Sequence, residues 1–377
     1  MSQSSTVFTD TKPHYLILDG MRGVAALMVL IYHLFEGFAT SPSNQICNHG
    51  YLAVPLFFVL SGFVIGYAYD DRWKKMSTAD FFKRRLIRLH PMVVLGAILG
   101  FIAFIAQGSV TWKGEHIPTL YVVFACLFTL FMIPVAPSAR LEVRGYGELF
   151  PLNGPYWSLL MEYIGNILYA LLLRKLSNKM LATVVILSGL GVAVYAVGNG
   201  SGVYNLGVGW TMANGFHYAG FLVMLYSYSV GMLMARTYRY IQVRRSFWSF
   251  AFIIVILTAM PYVVYGGSAI WNGVYDAICV LVFFPLIVYG GASASVNGKI
   301  TTKICQTIGD ISYPVYAIHY PSMYLFYAWV WGSNVSLAKA LPVGVSIIIA
   351  NIVLAYVFLR IYDLPVRRFL ASKLLKK

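Results

Sequence analysis

An arginine and a histidine on one face of a single apolar segment are the strongest chemical signal in this chain. The segment 15–36 carries Arg22 and His33, eleven positions apart. At 100° per residue both side chains project to nearly the same side of a helix, about 16 Å apart along its axis. Asp19, Ala26 and Leu30 share that face. Ionisable groups inside a membrane are costly, so they mark sites or pathways by default. The imidazole suits proton transfer, and the guanidinium suits an anionic ligand. The competing reading is a structural Asp19–Arg22 pair beside a packed histidine.

Three more groups join them. The segment opening at Pro155-Tyr156-Trp157 carries Glu162 about two turns in. Its depth puts it level with His33, as a base and its orienting partner would be. Lys83, Arg84, Arg85 and Arg88 precede Pro91. Arg84, Arg85 and Arg88 suit a phosphorylated ligand, since guanidinium grips phosphate bidentately. Ser312, Tyr316 and His319 stand at i, i+4 and i+7 on one face. By helical rise His319 lies about 15 Å in from the cytoplasmic end. Polar groups there point into a bundle, either as a site or as interhelical glue. Trp112, Trp157, Tyr146 and Tyr156 can meet sugar faces, and interfacial aromatic belts explain them equally well. His14, His49, His90, His116 and His217 have no motif around them. The four cysteines form no CxxC and no metal spacing, and no metal is expected. There is no GxSxG and no Walker A.

These residues need a membrane scaffold to position them. The 377 residues are 59% hydrophobic and 11% charged, with a mean hydropathy of +0.72. A soluble domain is about a quarter charged. The net charge of +15 could suggest nucleic acid. The basic residues sit in short loops between apolar segments, however, which is the positive-inside pattern. No nucleic-acid partner is expected.

Eleven apolar stretches can be marked, near 15–36, 51–69, 91–107, 118–136, 156–173, 180–198, 215–235, 247–266, 270–290, 308–331 and 340–360. If all eleven cross, the basic C-terminus falls outside, against the rule. The stretch 118–136, bracketed by prolines, is the natural one to leave out. Only Lys113, Arg140, Arg144 and Lys339 then lie outside, with Arg22 in the membrane. The expected fold is therefore all-α: a polytopic bundle of ten transmembrane helices plus one re-entrant or interfacial element. The expected divisions are a cytoplasmic tail 1–14, a membrane domain 15–363 and a basic cytoplasmic tail 364–377. Both termini are expected in the cytoplasm and the protein in the plasma (inner) membrane.

The assembled motifs resemble acyltransferase family 3. They are Leu18-Asp19-Gly20-Met21-Arg22-Gly23 with His33, Gly50 with Leu56 to Phe63, and Arg84-Arg85-Leu86-Ile87-Arg88 with Pro91. Trp157-Ser158-Leu159 with Glu162 and Ser312-Tyr313 with Tyr316 and His319 complete the order. Ala53 and Pro55 depart from the family's usual Gly and Asp. The resemblance implies transfer of an acyl group, usually acetyl, from cytoplasmic acyl-CoA to a carbohydrate hydroxyl at the cell surface or in export. No tightly bound cofactor is implied, because acetyl-CoA is a co-substrate. Some members carry an extra hydrolase-like domain, so a separate partner protein is a further expectation. His33 is then the base, or a transient acyl carrier, and Glu162 orients it or the sugar. Arg22, Arg84, Arg85 and Arg88 hold the donor phosphates. Ser312, Tyr316 and His319 shape the donor channel, and Asp19 and Trp157 contact substrate. A small molecule or lipid-linked sugar is the alternative acceptor. From other classes, a small-solute transporter or a non-catalytic receptor would use similar buried groups, although no inverted repeat is visible.

Overall fold

The computed structural model describes residues 14–241, 243 and 246–375. The expected tail 1–14 lies outside the described residues except for His14, as do Lys376 and Lys377. The helices are α1 (Leu16–Glu36), α2 (Ala53–Tyr69), α3 (Thr78–Ala106), α4 (Thr119–Leu130), α5 (Tyr156–Leu171), α6 (Asn178–Val197), α7 (Phe216–Thr237), α8 (Phe247–Ala259), α9 (Ile270–Ile278), α10 (Phe284–Ala292), α11 (Lys299–Gly332), α12 (Leu337–Phe358) and α13 (Leu364–Leu374). A π turn at Cys279–Phe283 joins α9 to α10, and another at Leu359–Asp363 joins α12 to α13. Four isolated bridges and no strand occur among the described residues. The chain is an all-α, polytopic bundle.

Eight helical segments among the described residues are long and apolar enough to cross a bilayer. The expectation of ten crossings also counts 247–266 and 308–331. The first of these is helical only over the 13 residues of α8, because Pro261 drives Met260 into extended backbone (ψ 137°). The second lies in the 34-residue α11, whose first twelve residues carry Lys299, Lys303 and Asp310. Helix α4 has 12 residues, reaching about 18 Å against a hydrocarbon core of about 30 Å. Residues from 364, expected as a basic tail, are helical in α13 and pack on α3. Ala371 and Arg367 are the face they bury.

Local signals set several boundaries. Ser77 caps α3, its Oγ accepting from the Asp80 amide at 3.1 Å while Asp80 accepts from the Ser77 amide. Pro55 falls in the first turn of α2, where a missing N–H costs nothing. The pair that matters most for the site is α1 against α11. A Cβ on Gly309 would come within 2.6 Å of the Asp19 Cβ, and one on Gly23 within 2.7 Å of the Ile308 carbonyl carbon. Glycine at both positions lets the two backbones approach closely, the usual device of membrane helix pairs.

One end of the bundle is basic. Arg236 bonds Asp70 at 2.6 Å and the Leu176 carbonyl at 2.8 Å, and Arg174 stacks over Trp73 at 3.8 Å. These contacts tie the 70–77 and 172–178 loops to the end of α7, beside the head of α3. At the opposite end, two long loops are stitched together. The Leu149 amide donates to the Trp210 carbonyl at 2.8 Å, beside a bridge between Glu148 and Thr211.

Candidate active site

His33 sits one turn before the end of α1, on the wall of a cavity of about 440 Å³ at that opposite end. Its Nδ1 lies 2.7 Å from Glu36 Oε2. A carboxylate can only accept, so Nδ1 carries a proton and Nε2 is the nitrogen that offers a lone pair in the neutral ring. Glu36 is itself held from α11. Tyr327 Oη donates to its Oε2 at 3.2 Å and Tyr320 Oη approaches at 3.4 Å. Tyr327 shares that one hydroxyl proton with the His33 backbone carbonyl, the nearer acceptor, and the Tyr320 ring meets the imidazole edge-on at 4.7 Å.

His319 lies behind this group, fully buried, its ring 5.4 Å from that of His33. Its Nδ1 bonds the Tyr316 carbonyl at 2.9 Å within α11, so Nδ1 is the donor and the buried Nε2 has no hydrogen-bond partner. Tyr316 lines the cavity floor and shares a 2.5 Å hydrogen bond with Ser158. Ser312 donates to the Gly309 carbonyl at 2.7 Å inside its own helix.

The cavity is walled by aromatic residues, among them Trp112, Trp157, Trp210 and Trp331. Glu148 joins the wall from the loop before α5 and accepts from Tyr324 Oη. Burial pushes its carboxyl up to about 8, against the pull of Arg144 and the Tyr324 hydroxyl. Arg144 is fully buried behind it, stacked 3.4 Å over Tyr324 and bonded to Gln107 and the Pro151 carbonyl. On the other wall Tyr51 donates to the buried Asp276 at 2.8 Å, and His49 Nε2 lies 3.5 Å from that carboxylate.

The structure divides the expected site residues between two places. His33, Tyr316 and Trp157 line the cavity, and His319 backs it. Glu162 does not serve His33. It pairs with Arg85 at 3.0 Å and accepts from Ser61 at 3.3 Å. Helix α5 leans against α2 and α3 there, so equal depth along the bundle does not mean the same face. Arg22 lies within electrostatic reach of Asp19, Arg88, Glu162 and Arg85, so these groups form one charged cluster toward the basic end. Arg84 sits beside Asp80 at the head of α3. Asp19, expected to contact substrate, instead bonds Arg22 at 3.4 Å and His14 at 3.0 Å. It lines a separate 410 Å³ cavity with Lys303, Asp310 and Arg360, about 20 Å down α1 from His33.

The sequence reading misses Glu36, although its i, i+3 spacing from His33 is visible. It also misses Tyr320, Tyr324 and Tyr327. Arg144 reads as a charge outside the membrane and Glu148 is not singled out, and nothing local signals that they are buried.

Comparison with known proteins agrees with this architecture. The acyltransferase domain family matches residues 15–360, and the chain belongs to it, as a membrane acyltransferase of family 3. Among its relatives is protein 2 in the picA locus of Rhizobium radiobacter, 34% identical over 191 residues, which is 48% of this chain and 94% of that protein. O-acetyltransferase OatA of Staphylococcus aureus is 24% identical over 375 residues, 94% of this chain. A putative peptidoglycan O-acetyltransferase, YrhL of Bacillus subtilis, is 28% identical over 167 residues, covering 41% of this chain and 23% of its own length. The chain spans 58% of the length of OatA. No solved structure matches it.

Proposed function

We propose that this protein is an O-acetyltransferase. It moves an acetyl group from acetyl-CoA, reaching the basic end from the cytoplasm, to a carbohydrate hydroxyl in the cavity at the other end. The observation that carries the reading is the Glu36–His33 pair on the cavity wall. The family membership and the names of OatA and YrhL support the class of reaction. The protein is placed in the plasma (inner) membrane with both termini cytoplasmic, since the positive-inside rule puts the basic end there.

His33 Nε2 takes the proton of the acceptor hydroxyl as its oxygen attacks the thioester carbonyl. The C–O bond forms, the C–S bond breaks, and the thiolate leaves with the proton that the imidazolium returns. Glu36 fixes the tautomer and stabilises the transient imidazolium, and Tyr327 and Tyr320 hold Glu36. Arg22, Arg85 and Arg88 grip the donor's phosphates. Tyr316 lines the cavity and lies within electrostatic reach of Glu162. It therefore stands between the arginine cluster and His33, where the donor's arm has to pass.

The test is turnover in lipid nanodiscs with acetyl-CoA and a panel of oligosaccharides, following free thiol and O-acetyl product. Loss of both products in His33→Ala, with donor binding retained, supports the reading. Equal turnover in wild type and variant removes His33 from the chemistry.

A further inference from the structure

The charges on the cavity wall say which saccharides can enter. Apart from tyrosines, its ionisable lining residues are His33, Glu36 and Glu148, with no lysine or arginine among the described residues that line it. This is unusual for a chain with 28 Lys and Arg against 13 Asp and Glu. Glu148 is 8% exposed and lines this cavity. Arg144 lies behind Glu148, off the wall, held by Gln107 and the Pro151 carbonyl. At the mouth, Tyr146 and Trp210 present near-parallel rings, 23° apart with centroids at 6.0 Å. Such faces take the C–H side of a pyranose, while a carboxyl group bonds its hydroxyls.

We infer that the cavity binds uncharged or amine-bearing saccharides and discriminates against anionic ones, because its wall carries acidic groups and no basic residue. A uronate, phosphate or sulfate in this cavity would be desolvated beside the Glu36 carboxylate and the Glu148 carboxyl, with no guanidinium or ammonium on the wall to meet it. A hydroxyl or an ammonium at the same place finds an acceptor. The inference rests on reading the cavity as the acceptor site.

The experiment is a binding titration read by tryptophan fluorescence, with the full chain in nanodiscs of zwitterionic lipid and no donor present. The probes are β-1,4-linked tetrasaccharides of glucose, glucosamine and glucuronate. The expected result is binding of the first two, with glucuronate at least tenfold weaker and the gap shrinking as salt is added. Glu148→Gln leaves the gap at pH 7 in place and removes its widening toward pH 9, where the wild-type carboxyl ionises. Tyr146→Ala, at an exposed ring, weakens glucose and glucosamine alike and serves if the buried variant fails to fold. Glucuronate binding as well as glucose, or binding of none of the three, overturns the inference, even if acetyl transfer to another acceptor is found. Charge-selective binding without acetyl transfer leaves it standing and removes the proposed reaction instead.

Discussion

Glu36, three residues after His33 on the same helix, holds the imidazole Nδ1 at 2.7 Å and is itself clasped by Tyr327 at 3.2 Å from α11. A carboxylate–imidazole pair drawn from one helix is set by local geometry, whereas the clasp requires α1 and α11 to be in register. The carboxylate that meets His33 is thus Glu36, and Glu162 belongs to a different cluster.

Exchanging the two carboxylates separates their roles. Glu36→Gln keeps the shape and loses the charge that supports the imidazolium. It is expected to lower kcat about a hundredfold or more, within the range of general-base effects, with KM for donor and acceptor nearly unchanged. Glu162→Gln is expected to change donor KM more than kcat. Steady-state kinetics in nanodiscs decides, and the opposite pattern would return Glu162 to His33.

The Arg85–Glu162 pair is largely buried, with side chains 14% and 17% exposed. Removing one partner strands the other. Arg85→Ala or Glu162→Ala is expected to cost about 3–5 kcal/mol, and the double variant to recover part of that loss. A double-mutant cycle on unfolding in detergent measures it. Simple additivity would mean that the pair contributes no coupling.

Glycine at the α1–α11 crossing is a steric requirement. Gly309→Leu forces a branched side chain against Asp19, where a single Cβ would already lie 2.6 Å from its Cβ. The expected outcome is loss of folded protein on size-exclusion chromatography, or folded protein without activity because Tyr327 no longer reaches Glu36. Normal activity would show that the crossing tolerates displacement.

Glu148 makes stability depend on pH. Burial holds its carboxyl near 8, above the usual 4.5, despite Arg144 and the Tyr324 hydroxyl; Glu142 and Glu36 add to the rise. The folded state thus binds the proton more tightly than the unfolded chain. That contribution is fully present below about pH 4.5 and is lost as pH rises through about 8. Thermal unfolding from pH 5 to 9 should show wild type losing on the order of a few kcal/mol that Glu148→Gln does not lose. Identical slopes would contradict it.

The membrane class, the fold and the family were legible in the residues themselves. Apolar segments and charge-biased loops follow from desolvation costs that act on each segment separately. The Arg22–His33 face and the i, i+4, i+7 pattern of Ser312, Tyr316 and His319 follow from helical periodicity, and so would the His33–Glu36 pair. What the tertiary structure decided was partnership between helices. Depth along a bundle can be counted from sequence, but the rotation of each helix about its axis is set by packing. For that reason Glu162 meets Arg85 rather than His33, and His319 comes to lie against His33 rather than the arginines. Burial of Arg144 and Glu148 was likewise invisible, because it depends on two distant loops closing over the end of α11.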